Sequence, residues 1–245
     1  MKQGLFEIVK NQKIADKVYE MTLKGDTSEI TSAGQFVNVR IGGNYLRRPI
    51  SVCDLCGDLL TIVFKTVGKG TEELSAFPVG EKLDILTGLG NGYDLSLSGD
   101  HPLLIGGGVG VPPLYLAAKR LIAQGKSVTV ILGFNKKDEV FYEEKFKKLG
   151  AKVLVTTVDG SLGIKGFVTD AIKKINNYSY FYTCGPEPML KAVYAASYTS
   201  GQFSFEERMG CGFGACMGCS CKTVTGYKRI CKDGPVLFKE EILWK

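Results

Sequence analysis

The pattern of apolar and polar positions changes character near residue 98. Before it, three stretches alternate with period two: Lys17 to Leu23, Gln35 to Ile41 and Leu59 to Lys65. Ala33-Gly34 and Gly42-Gly43-Asn44 bound the second stretch. Short alternating runs between Gly and Asn turns, with no long helical pattern, predict an antiparallel barrel or sandwich. Asp94 to Asp100 is polar and rich in Gly and Ser, and predicts a linker.

Beyond it the pattern is strand, turn, helix. Pro102 to Ile105 is a short apolar strand, Gly106 to Gly110 a glycine turn, and a helix is expected to start near Pro112 or Pro113, where proline is tolerated. Strands are then predicted at Ser127 to Gly133, Lys152 to Thr156 and Tyr178 to Thr183. Helices are predicted at Glu139 to Leu149, from Val168, and from Glu187. Such alternation predicts a parallel sheet with helices on both faces and ligands at the carboxyl ends of its strands.

The last part of the chain is organised around cysteine. Cys211, Cys216 and Cys219 stand as C-x4-C-x2-C, and Cys221 and Cys231 follow. The spacing matches the plant-type ligation pattern of a [2Fe–2S] cluster. Zinc prefers paired C-x2-C knuckles, a dithiol redox pair needs only two cysteines, and a disulfide scaffold does not suit this context. Cys221 follows Cys219 too closely to reach the same cluster comfortably. Cys231 returns from a hairpin through Lys222 to Lys228, so it is the expected fourth ligand. The expected fold is thus multidomain β and α/β. It has a barrel at 1–99, a parallel α/β nucleotide-binding domain at 100–200, and a small cluster subdomain at 201–245.

Composition narrows the class. A chain of 245 residues with 44% hydrophobic and 23% charged residues is that of an ordinary globular protein. No apolar run reaches the ~18 residues of a membrane helix, and the first residues lack the apolar core of a signal peptide. Eight cysteines without such a signal lead to an expectation of a cytoplasmic, reducing setting. The net charge of +6 is spread among acids with no basic block, so no nucleic-acid partner is expected.

Further motifs carry a family resemblance. Arg47-Arg48-Pro49-Ile50-Ser51 follows a strand, and Lys65-Thr66-Val67-Gly68-Lys69-Gly70-Thr71 comes about twenty residues later, at a helix start where free N–H groups bind anions. Together they resemble the flavin-binding barrel of the ferredoxin–NADP reductase superfamily. The resemblance implies that Arg48 contacts the FAD pyrophosphate, that Ser51 sits near the reactive flavin nitrogen, and that Gly70 and Thr71 bind phosphate. Pro49, Ile50, Lys65, Thr66 and Val67 complete the candidate flavin segment. The turn Gly106-Gly107-Gly108-Val109-Gly110 departs from G-x-G-x-x-G, with Pro113 at the last glycine position, but fits the GGxGxxP form of the same superfamily. Cys184-Gly185-Pro186 matches its second pyridine-nucleotide signature, which implies Cys184 beside the nicotinamide. Ser51 and Cys184 are therefore the expected catalytic residues, acting by tuning and orienting.

Asp159-Gly160-Ser161 resembles the superfamily's nucleotide loop and equally fits a plain turn. Lys136 and Lys137 fit either a 2′-phosphate site or a solvated loop. Cys53 and Cys56 form an isolated C-x2-C, which fits two strand cysteines better than half a metal site.

The C-terminal run Glu-Arg-Met-x-Cys-Gly-x-Gly-x-Cys-x-x-Cys, then Cys-x-Asp-Gly-Pro-Val, resembles the electron-transfer subunits of bacterial NAD-dependent dihydroorotate dehydrogenases. That resemblance spans essentially the whole chain. It implies FAD, one [2Fe–2S] cluster and NAD as cofactors. It also implies a separate FMN-bearing catalytic subunit that oxidises dihydroorotate in pyrimidine biosynthesis, in a heterotetramer of two plus two. Electrons would run from that FMN through the cluster and FAD to NAD⁺. The other expectations are a reductase serving an oxygenase, hydrogenase or ferredoxin, and a structural zinc protein. Tyr45, Phe213 and Trp244 are candidates to stack on the flavin.

Overall fold

The structure is a computed structural model and describes residues 1–244. Its first part is a closed six-stranded antiparallel barrel. The strands are β1 (Lys2–Ala15), β2 (Val18–Lys24), β3 (Phe36–Val39), β4 (Arg48–Cys56), β5 (Leu59–Lys65) and β6 (Lys82–Leu89), in the spatial order β1-β2-β5-β4-β3-β6. The barrel alternative therefore holds over the sandwich. Alternating inward positions such as Leu83, Ile85 and Leu89 of β6 fill it. Long β1 carries little periodic signal, because among its 14 residues only Phe6 and Ile8 are buried.

Pro49 lies inside β4, opposite Asn38 of β3. Pairing of β4 with β5 begins only at Val52, so Arg48 to Ser51 has an open side. A proline is tolerated where one side of the strand lacks a partner. The helix α1 (Lys69–Ala76) follows β5 and stands beside that open side, with Gly70 against Arg48.

The second part is a seven-stranded sheet ordered β10-β9-β8-β7-β11-β12-β15, the last being Val236–Phe238. Here β7 is Pro102–Gly107, β8 Thr129–Phe134, β9 Lys152–Thr157, β10 Ile164–Lys165, β11 Tyr180–Cys184 and β12 Gly201–Ser204. All of these pair in parallel. The helices are α2 (Pro113–Ala123), α3 (Glu143–Leu149), α4 (Val168–Ile172) and α5 (Glu187–Ala196). Strand order runs outward from β7 in both directions, which makes the carboxyl end of β7 the switch point where such sheets open a crevice.

Two expectations change. The helix predicted from Glu139 starts at Glu143, because Tyr142 has a left-handed φ of 69° and a short 3-10 turn occupies Lys137–Glu139. The expected linker is held in place: Tyr182 Oη donates to the Asp94 carbonyl at 3.0 Å, and Asp94 N donates to Gln202 Oε1 at 2.9 Å.

The C-terminal segment leaves the sheet after Ser204 and returns as β15 (Val236–Phe238), antiparallel to β12. Between them lie the cysteine loop and a hairpin of β13 (Ser220–Thr223) and β14 (Gly226–Arg229). Buried Cys219, Ile230 and Cys231 share one apolar cluster with Phe36 and Leu89 of the barrel and Leu103 and Phe181 of the sheet. The loop is thereby wedged where the two larger parts meet. Among the described residues no helix is long and apolar enough to cross a membrane.

Candidate functional site

Three groups of predicted residues converge around this junction. The first is on the barrel. Arg48, which the resemblance selects, and its neighbour Arg47 have different surroundings. Arg47 is paired with Asp84 at 2.8 Å, whereas Arg48 has no carboxylate partner among the described residues. Arg48 instead reaches Asn44 Oδ1 at 3.1 Å and the Leu46 carbonyl, and lies across Gly70. A Cβ at Gly70 would sit 2.7 Å from Arg48 Nε, so a larger residue there would push the guanidinium aside. The Thr71 hydroxyl is spent locally, accepting from Val67 N at 2.9 Å and donating to the Gly68 carbonyl at 3.0 Å. The first N–H groups of α1 have no intrahelical acceptor and Gly68 supplies no side-chain cap, so an uncommitted cation and a helix N-terminus share one spot. That donor set suits a phosphate. Pro49 and Val67 are exposed, Ile50 is buried and Ser51 is half-buried beside it.

The second group lines a cleft of about 610 Å³ at the switch point. Gly107, Gly108, Gly110, Gly185 and Pro186 line it, as does Lys65 from the barrel. Gly106 lies behind the wall, packed on Val111. Cys184 also lies behind it: a Cβ on Gly110 would fall 2.3 Å from the Cys184 carbonyl oxygen. Burial pushes the Cys184 thiol well up, and it stays protonated near neutrality.

Several lining residues carried no local sequence signal. Glu206 lines the cleft and is exposed to solvent, and partial desolvation against the cleft raises its carboxyl above the ordinary value. Thr156 is buried with an unpaired hydroxyl on the cleft wall. Asn135 Nδ2 donates to Glu139 Oε2 at 3.0 Å, which places a carboxylate near the carboxyl end of β8. Lys136 and Lys137 do not line the cleft, and the Lys137 N–H donates to Ser161 Oγ at 2.8 Å. The Asp159-Gly160-Ser161 loop thus braces that turn.

The third group is the cysteine loop. Cys211 N donates to Cys216 Sγ at 3.4 Å, and Ala215 N donates to Cys211 Sγ at 3.2 Å. Cys231 N donates to Cys219 Sγ at 3.4 Å. The thiols therefore stand as two facing pairs, 211 with 216 and 219 with 231. Two thiol pairs supply the four ligand positions of a [2Fe–2S] centre. Burial opposes ionisation of Cys211, but N–H groups of Phe213, Cys216 and Ala215 outweigh it and lower that thiol to about 6. Burial and neighbouring Cys219 push Cys231 up to about 12. A bound metal centre favours the thiolate form of all its cysteine ligands. Cys221 points elsewhere, into a second cavity lined by Phe205, Leu237 and Trp244. Cys53 is buried against Tyr142 Oη at 3.2 Å and Cys56 is exposed, so they form no shared site.

Residues 206–243 match the family described as the iron-sulfur cluster binding domain of dihydroorotate dehydrogenase B. Residues 104–195 match the oxidoreductase NAD-binding domain. A dihydroorotate dehydrogenase B (NAD(+)) electron transfer subunit from Fusobacterium nucleatum is 46% identical, over 96% of this chain and 96% of its own. The subunit of the same description from Bacillus pumilus is 46% identical over 99% of this chain and 98% of its own. The chain belongs to the dihydroorotate dehydrogenase B electron transfer subunit family. Among solved structures, a chain of the NADH-dependent reduced ferredoxin-NADP oxidoreductase superposes with a TM-score of 0.89 at 34% identity, over 98% of this chain and 90% of that one. The ferredoxin reductase of carbazole 1,9a-dioxygenase shares the fold, with a TM-score of 0.71 at 19% identity over 80% of this chain and 65% of that one. Membership of the electron transfer subunit family fits an oxidoreductase using FAD, a [2Fe–2S] cluster and NAD.

Proposed function

We propose that this chain carries electrons from the FMN of a separate dihydroorotate dehydrogenase catalytic subunit to NAD⁺, in pyrimidine biosynthesis, within an assembly of two copies of each subunit. The observation that carries this proposal is the seat of the paired thiols against β3, the strand beside Arg48 to Ser51. FAD in the barrel supplies exchange between hydride and single electrons, and a [2Fe–2S] cluster supplies one-electron relay. The chain's own residues bind and orient.

Arg48, Gly70 and Thr71 hold the FAD phosphates, with Pro49, Ile50, Ser51, Lys65, Thr66 and Val67 along the ring and ribityl segment. Exposed Tyr45 is the aromatic best placed to cover the flavin, since Trp244 is engaged with Phe203 and Phe205. Gly107, Gly108, Gly110, Gly185 and Pro186 bring backbone close to the dinucleotide, and Gly106 lets the turn pack closely on Val111 behind them. Glu139 favours NAD, because a carboxylate near the end of the second strand accepts from a ribose diol and repels a 2′-phosphate. Ser51 and Cys184 orient the reacting rings, Cys184 as a neutral thiol through the wall it supports. Cys211, Cys216, Cys219 and Cys231 hold the cluster.

Partner docking falls on the cysteine loop and hairpin, where Phe213, Met217, Val224 and Tyr227 are exposed apolar side chains. Eight free cysteines suit the cytoplasm. The test is co-purification with an FMN subunit followed by a dihydroorotate:NAD⁺ assay. Orotate should form with the pair and not with this chain alone. The 34% identity to a ferredoxin-NADP oxidoreductase chain favours a second reading, a reductase serving another partner. NADH-to-dye activity without orotate formation by any FMN-subunit pair would select it.

A further inference from the structure

The cleft has two walls from different parts of the fold. Asp16 and Val18 of the barrel line one side; Glu139 and Phe141, after β8, line the other. Directly beneath both walls is a buried carboxylate. Glu20 lies two residues along β2 from Val18 and is almost wholly enclosed. It takes four donors: Lys10 and Gln12 of β1, each at 3.2 Å, and Tyr142 at 2.6 Å together with Lys145 from the nucleotide domain. Burial pushes this carboxyl up, but Lys145, Tyr142 and Lys10 outweigh it, so it is held ionised below its ordinary value.

The Tyr142 end of this bridge is unusual. Tyr142 follows cleft-lining Phe141 and adopts a left-handed φ of 69°, a conformation unfavourable for a side-chain-bearing residue. Its ring packs edge-on against Tyr115 and Phe146, and its hydroxyl accepts from Cys53 while donating to Glu20. The left-handed turn sends Phe141 back into the cleft, where it meets Phe134 edge-on at 5.2 Å. The anchor is thus one residue from one wall and two from the other.

We infer that Glu20 is a positioning residue for the dinucleotide: through Tyr142 it holds the Glu139–Phe141 wall at a set distance from the barrel, and so sets how tightly NAD(H) is held. The inference rests on the cleft being the dinucleotide site. It is separate from general docking of the two parts, which other contacts serve. Lys119 of α2, for example, pairs with Asp54 of β4 at 2.8 Å and lines no part of the cleft.

The test uses the full chain with FAD and cluster loaded. Calorimetric binding of NAD⁺ and steady-state NADH-to-dye kinetics are measured for wild type, Glu20→Gln, Tyr142→Phe and Lys119→Met. Both cleft-anchor variants should raise the NAD⁺ Kd and the NADH KM about tenfold with kcat within about twofold, the mark of lost uniform binding. Lys119→Met should lower the melting midpoint and leave Kd and KM unchanged. Tyr142→Phe removes one hydroxyl and keeps the ring, so it carries the test if Glu20→Gln does not fold. Wild-type binding with unchanged Kd in Tyr142→Phe overturns the inference and leaves the cleft assignment standing. Equal Kd rises in Lys119→Met and the anchor variants also overturn it. Wild type that binds no NAD⁺ overturns the cleft assignment itself.

Discussion

Asn38 of the barrel donates through Nδ2 to the carbonyl of Cys211 at 3.3 Å, across 173 positions of chain. Asn38 is buried, sits opposite Pro49 on the neighbouring strand, and leaves its Oδ1 buried without a partner. One side chain therefore joins the thiol loop to β3, the strand paired with the one that carries Arg48 and Ser51. Buried amides are normally satisfied on both atoms, so an orphaned oxygen marks a place where a donor is expected. Asn38→Ala should cost about 1 kcal/mol of stability for the lost hydrogen bond. It should also slow cluster-dependent electron transfer more than NADH-to-dye turnover, checked by rapid-mixing absorbance of the flavin and iron-sulfur bands. Equal slowing of both would deny the link a specific role.

The thiol pairs separate Cys231 from Cys221. Cys231→Ser should abolish the broad visible iron-sulfur absorption and drop iron and acid-labile sulfide from about two of each per chain, the stoichiometry of a [2Fe–2S] centre. Cys221→Ser should leave both unchanged, because Cys221 lines the second cavity with Trp244. Iron and sulfide assays on the two purified variants decide it.

Arg47 and Arg48 should respond oppositely. Arg48→Ala removes a cation with no carboxylate partner, and FAD affinity should fall about ten- to hundred-fold, the range of one charge-assisted hydrogen bond. Arg47→Ala should retain FAD and lose stability, since Asp84 is left without its 2.8 Å partner. Flavin retained after gel filtration, read beside the melting midpoint, separates the two.

Glu206 gives a pH test with a definite sign. Its carboxyl is raised in the folded chain by desolvation from an ordinary value of 4.5. The folded state then holds its proton more tightly than the unfolded state, so stability falls as pH rises from 4.5 through the raised folded value, and the full penalty stands above it. Glu206→Gln removes that penalty. Its urea midpoint should exceed wild type at pH 8 and approach it at pH 4.5. A variant no more stable than wild type at pH 8 would mean that Glu206 is effectively solvated.

Local spacing carried the parts list. The residue types of β2, β3 and β5 alternate with period two, and that period is visible in seven residues or fewer, although burial follows it only partly: all four residues of β3 are buried. The glycine turn before α2 and the C-x4-C-x2-C run are likewise written in consecutive positions. What only the tertiary structure decided are contacts between distant segments. Glu20 meets Tyr142 across 122 positions and Asn38 meets Cys211 across 173, and neither leaves a periodic trace. The late start of α3 belongs here too: residues 139 to 142 have a helical pattern, but the Glu20 anchor and the aromatic packing around Tyr142 hold a left-handed turn that propensity alone disfavours. Placing Glu139, Thr156 and Glu206 in the cleft also required the folded chain, because each depends on distant segments; for Arg48, which the resemblance already selected, the folded chain added the reason, the pairing of Arg47 with Asp84.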